Sequence, residues 1–518
     1  MAAVVFNDFS GGHWGELDPG KAGPTFFHAK NLLVYRNGAL GPRPGLKLLK
    51  TLAAGPVYGI GYVEGVVNNR NLITVEANTI VSSSPNGGGA GTSTSHGAIV
   101  VPSTPLPARI LAAGNLAYVN IPNGSRLYSV DVAAGSAASN LAAGGVGVAV
   151  YGVQVLRTEN VGNVVWYTEV LSGAFGANTN FKVANGTNVI FVAAQRNHAV
   201  IGTAEGDWYV LTGIPGSGQE TLRRVTGGHI VPPMTAPLSC IDLGDDLVWY
   251  LDPTNSYPAW FDGAKHDDLP YLSMHPADPL GTYAASTASR AANYRGAVGF
   301  QGADNSSPGF VIPAPNNTDP FKGRMLLMHN GAWTMHEFAL PVSNLWTSDG
   351  RGRLFCVDQG ATDTGLNIYT TQLRLDRPAF TSDAFASPSD SGANFTCEVE
   401  FPHIWSEDGE EVRVTEVMID FVRWNTGSAQ ANNMDVDVTA LARGSEVAQQ
   451  TVTQSWTQPG SSSPATQAGT FDRVRLNFGH QGSGAGFAVK IRNMRGVAIR
   501  QVVVNPDPVK SDRRSWGA

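Results

Sequence analysis

Cysteine is scarce in this chain. Its 518 residues include three, Cys240, Cys356 and Cys397, far apart and odd in number, which excludes a disulfide framework and points to assembly in a reducing cytoplasm. No run of about 18 apolar residues occurs, so a membrane-spanning helix of the usual kind is excluded. The start has no basic region followed by a long apolar stretch, and no secretory signal is expected. Charge is sparse too: 15% of residues carry it, with a net charge of −7, a balance that does not hold nucleic acid by counterion release. Also missing are a Walker sequence, zinc-type Cys/His spacing, His-Glu-x-x-His and a nucleophile elbow.

Glycine and proline are plentiful, at 60 and 31 residues, and with few strong helix formers beyond Ala and Leu they indicate a turn-rich all-β protein. The 42% hydrophobic and 9% aromatic content supplies enough apolar surface to offset the entropy of ordering. A chain of this length divides into two to four domains or forms one large repeat array.

Residues 51–376 read as short strands between Gly/Asn/Pro turns, among them Leu72–Val75, Leu116–Val119, Trp208–Leu211 and Leu247–Tyr250. Tryptophans recur within them: Trp166 to Trp208 is 42 residues, Trp208 to Trp249 is 41, and Trp249 to Trp333 is 84, twice 42. Repeats of about 42 residues with four strands each mark the blades of a β-propeller, and these four tryptophans are its expected repeat core. Apolar neighbours favour core positions over sugar-stacking platforms.

Ser, Pro and Asp crowd residues 377–394, which read as a linker. Cleaner alternation follows in residues 395–505, as in Phe395–Phe401, Val412–Val417, Met434–Val438 and Phe471–Phe478, the pattern of a β-sandwich with one buried and one polar face per strand. Residues 506–518 are a tail with Trp516 to bury.

Candidate chemistry is thin, and no catalytic, cofactor or metal residue is assigned. His266-Asp267-Asp268 with Asp262 offers oxygens for a hard cation but equally suits a solvated loop. Glu398 with Glu400, and Asp435 with Asp437, place acids on one face of a strand, compatible with glycoside hydrolysis or with the wet face of a sheet. Gly482–Gly486 precedes a strand-like run where a phosphate-binding loop needs a helix, so it reads as a turn. Ser348–Arg353 has some likeness to the Asp-containing turn of sialidase propellers, although turn geometry explains Asp-Gly there.

The first 45 residues are the most distinctive. Gly11 and Gly12 permit positive φ, Pro42 and Pro44 restrain φ, and Asn37-Gly38 between apolar runs is a hairpin signal, so we expect a short helix or turn followed by a tight hairpin. Phe9-x-Gly11-Gly12, Ala29-x-Asn31-Leu32, Gly38-x-Leu40 and Arg43-Pro44-Gly45 together resemble the N-terminal segment of the tail nozzle or tail hub proteins of short-tailed bacteriophages. The resemblance covers under a tenth of the chain. It implies a segment (residues 1–50) that packs on a propeller-like body or on a neighbour. It further implies a homo-hexameric ring at the base of the DNA conduit, with a portal or adaptor ring above and tail fibres or spikes beside. Double-stranded DNA would pass through without specific binding, and the protein would be a non-enzymatic, structural part of the virion, assembled in the host cytoplasm. Two other readings suit an all-β body: a carbohydrate-binding or glycoside-hydrolysing propeller, and a minor tail or fibre-associated protein of a long-tailed phage.

Overall fold

A computed structural model describes residues 3–7, 9, 28–35, 38–52, 56–65, 70–85, 93–102, 107–122, 126–171, 175–183, 188–225, 237–243, 247–251, 258–269, 297–302, 307–359, 367–371, 375, 389–406, 411–423, 432–442, 445–456, 470–478 and 484–508. The chain is all-β, with a propeller-like body and a β-sandwich, and it forms two compact units. One comprises residues 46–325 and 340–371, the other residues 1–45, 326–339 and 372–518.

Among its described residues the larger unit contains six four-stranded antiparallel sheets, together with the antiparallel pair Val298–Gln301/Pro308–Pro313, which opens a longer sheet. In chain order the first strands are Val57–Glu64, Arg109–Ala113, Val148–Tyr151, Val189–Ala194, Ile241–Asp242, Val298–Gln301 and Val342–Ser348. We number the blades one to seven in that order. Blade seven takes its fourth strand from far upstream: Leu46–Thr51 pairs antiparallel with Asn367–Thr371. A sheet otherwise left with an open edge is thereby completed, and the ring is closed.

Apolar clusters fill the spaces between blades. Val75 and Ile80 of blade one meet Val119 and Val130 of blade two, Leu156 and Val165 of blade three meet Val192 and Ile201 of blade four, and Phe191 and Trp208 meet Tyr250 and Phe261. Across the closure Leu72 and Ile60 pack on Phe355 and Ile368, and Lys50 Nζ lies 2.9 Å from Glu76 Oε1. Because each sheet is buried on both faces by its neighbours, strands such as Trp208–Leu211 and Val248–Leu251 read as continuous apolar runs rather than alternating ones.

The smaller unit is a sandwich. One sheet orders Leu32–Val34, Leu40–Pro42, Val497–Pro508, Val412–Arg423 and Thr470–Asn477, with Val4–Phe6 also pairing on Val497–Pro508. The other includes Ala332–Glu337, His28–Lys30, Glu398–Glu400, Gly486–Arg495, Asn432–Ala442 and Ser445–Trp456. Val417, Ile419, Val502 and Val504 of the first meet Val436, Val438, Val489 and Ile491 of the second in one core. The opening residues therefore contribute strands to both sheets, and the stretch 326–339, read from the sequence as part of the propeller, belongs to this unit. No helix of the described residues is long and apolar enough to cross a membrane.

Candidate functional sites: a buried knot and a central cavity

Most residues that carry the family resemblance fall in or near one buried junction of the sandwich unit. Asn31 sits in the left-handed region (φ +59), which Asn tolerates better than most residues. There its side-chain oxygen accepts from the Glu337 backbone N–H (2.8 Å) and from Arg43 Nε (3.2 Å), while its amide donates to the Thr396 carbonyl (2.8 Å). The Arg43 guanidinium, 3% exposed, forks onto Asp390 through Nη1–Oδ1 (2.9 Å) and Nη2–Oδ2 (2.7 Å). It also donates to the carbonyls of Pro44 and Glu337, and its plane lies 3.8 Å from the Phe395 ring centroid. Asp390 Oδ2 accepts in addition from Ala339 N. In a buried ion pair with its hydrogen-bonding capacity this fully used, the mutual attraction and the hydrogen bonds offset the cost of desolvating both charges.

Gly45 follows for a steric reason, since a Cβ there would stand 1.8 Å from the Ser389 carbonyl oxygen. Gly38 has φ +75 and closes the Leu32–Val34/Leu40–Pro42 hairpin, donating to the Tyr35 carbonyl. Phe9 is buried against Phe401 at 6.3 Å. Gly11 and Gly12, and Trp516 with the tail beyond residue 508, lie outside the described residues.

The tryptophans do not share one repeated position. Trp166 and Trp208 stand on the third strands of blades three and four, Trp249 on the second strand of blade five, and Trp333 on Ala332–Glu337 of the other unit. Trp208 is enclosed by rings, with Phe191, Tyr250, Phe261 and His266 at 4.9, 5.2, 5.1 and 4.6 Å. His266 is thus part of an aromatic cluster, and Asp262 Oδ1 accepts from Ala264 N and Lys265 N to hold a turn. The paired acids of the sandwich flank bases: Lys490 lies between Glu400 and Asp437 in cross-strand register, and Arg492 binds Asp437 through two nitrogens. That ladder pairs acids with bases across one face of the sheet, with Asp437 itself buried at 3% exposure. Asp349 Oδ1 accepts from Arg351 N (2.8 Å) and Arg353 N (2.9 Å), the Asx-turn geometry that Asp-Gly favours.

The larger unit encloses a central cavity of about 650 Å³, lined by residues from the first strands of blades one to seven. Its wall is mostly small and aliphatic, with Ile60, Ile110, Val148 and Val192. Arg109 of blade two reaches the carbonyls of Cys240 (2.7 Å) and Leu238 (3.4 Å), just ahead of blade five. Burial lowers its pKa and raises that of the Cys240 thiol to about 12, so this cysteine is no thiolate nucleophile. At the blade one and seven side, Tyr62, Glu64, Asn344 and Asp349 supply polar groups. Glu64 receives Arg351 and faces Arg70 Nε at 3.6 Å. Sequence reasoning missed this cluster and also Asp390, because both arise from pairings hundreds of residues apart that no local pattern signals.

No protein-family model matches the chain, and no curated protein matches it. Among solved structures, a chain of the Mitotic Checkpoint Complex aligns with 64% of this chain and 94% of its own length, at 9% identity and a TM-score of 0.37. Chaetomium thermophilum Raptor aligns with 64% of this chain and 29% of its own, at 13% identity and 0.38. The computationally designed Ika8 protein aligns over 62% of this chain and 99% of its own, at 12% identity and 0.34.

Proposed function

We propose that this chain is a structural subunit of a phage tail, a nozzle or hub of the short-tailed kind that assembles as an oligomeric ring around the DNA exit channel and gates retention and ejection of the genome. The observation that carries this reading is the knot of Asn31, Arg43 and Asp390. Asn31 and Arg43, two of the residues that carry the resemblance, are buried and hydrogen-bonded, as expected of a segment that sets how the chain threads its sandwich. They are not arranged around a cleft. The net charge of −7 suits a conduit that passes phosphate backbones without retaining them.

In this proposal the portal or adaptor ring lies above, fibres or spikes lie beside, and no step of catalysis is assigned. The test is quantitative mass spectrometry of purified particles from a host producing this chain. Several copies per particle, retained after removal of the fibres, are expected; absence from particles overturns the proposal.

A further inference from the structure

The cavity mouth between blades one and seven has the features of a ligand site. Tyr62 lines the cavity with its ring stacked at 6.4 Å on Phe355, and its hydroxyl oxygen is buried with no hydrogen-bonding partner among the described residues. Burial is the main cause of its raised pKa, followed by Asp349 and Glu64 and opposed by Arg70 and Arg351, so all four charged groups act on the phenol. Glu64 and Arg351 are 36% and 40% exposed in their side chains, which leaves the mouth open to solvent. The volume of about 650 Å³ falls in the range of small-molecule sites.

We propose that this mouth binds a small, neutral, hydroxyl-rich molecule of about hexose size. The two acids and two bases around Tyr62 cancel, so a ligand with a full charge of either sign meets repulsion along with attraction. A hydroxyl group can accept from the phenol and donate to a carboxylate at once. Phe300 and Trp346, stacked on each other at 5.7 Å, border the same cavity with little of their rings exposed and make that side apolar. The site is independent of where the chain sits in a particle, and the two proposals fail separately.

Saturation-transfer NMR on the full chain tests it, with D-glucose, N-acetyl-D-glucosamine and D-glucuronate as probes. Transfer to the ring protons of at least one neutral sugar is expected, with D-glucuronate weaker. Tyr62→Phe, which keeps the ring and its stacking, is expected to weaken binding about tenfold, and Glu64→Gln serves as the second variant should the first fail to fold. No transfer to either neutral sugar, tighter binding of D-glucuronate, or undiminished affinity in a folded variant overturns the proposal.

Discussion

The carboxylate of Asp390 receives both terminal nitrogens of Arg43, 347 residues earlier, in a bidentate pair at 2.9 and 2.7 Å with side chains 0% and 4% exposed. Removing one partner leaves the other charge buried and uncompensated. Arg43→Met or Asp390→Ala is therefore expected to destabilise the sandwich unit by about 3–5 kcal/mol. Differential scanning calorimetry checks this, with loss expected in the transition of that unit.

Gly45→Ala and Gly38→Ala separate two reasons for glycine. At Gly45 the added carbon meets the Ser389 backbone, which cannot rotate away, and a loss of about 1–3 kcal/mol or more is expected. At Gly38 nothing lies within 4 Å and the cost is conformational, about 1–2 kcal/mol. Urea denaturation of the two variants should rank them in that order.

How much of this was legible in the sequence differs by element. The alternation in Val412–Val417 and Phe471–Phe478 marked sandwich strands because one face is wet. Apolar runs such as Leu247–Tyr250 marked buried strands, and their turns suggested blades. The tryptophan interval counted strands at different positions, so it indicated the architecture without marking equivalent sites. Asp390 stood in a Ser/Pro/Asp stretch read as a linker, since a local pattern cannot report a partner 347 residues away. Leu46–Thr51 lay at the edge of the opening segment as read from composition, yet it closes blade seven, a pairing that depends on circular closure.

Acid should weaken the sandwich unit through His336. Burial, with Arg43 and His329 adding, holds its pKa well below the ordinary 6.5, and Thr334 Oγ1 lies 3.0 Å from Nε2. The unfolded chain then binds a proton that the folded one refuses. Stability rises with pH where the unfolded state is the more protonated. The contribution of His336 is thus complete above about pH 6.5 and is lost as the pH falls below that value toward the depressed folded pKa. Melting temperatures measured from pH 7.5 to 5 should fall less steeply for His336→Gln than for the unsubstituted chain.

Trp208→Ala removes the ring at the centre of the aromatic cluster between blades four and five. A loss of about 3–5 kcal/mol is expected, confined to the propeller unit. Hydrogen exchange should show faster opening of His198–Thr203 and Val248–Leu251, with the sandwich strands unchanged.

The central claim is that this chain is a ring subunit around the DNA exit path. Cryo-electron microscopy of intact particles tests it most directly. The account predicts copies of the bladed unit in a closed ring, six by the family resemblance, on the tail axis at its distal end. Copies found only on peripheral fibres, or none in the particle, would contradict it.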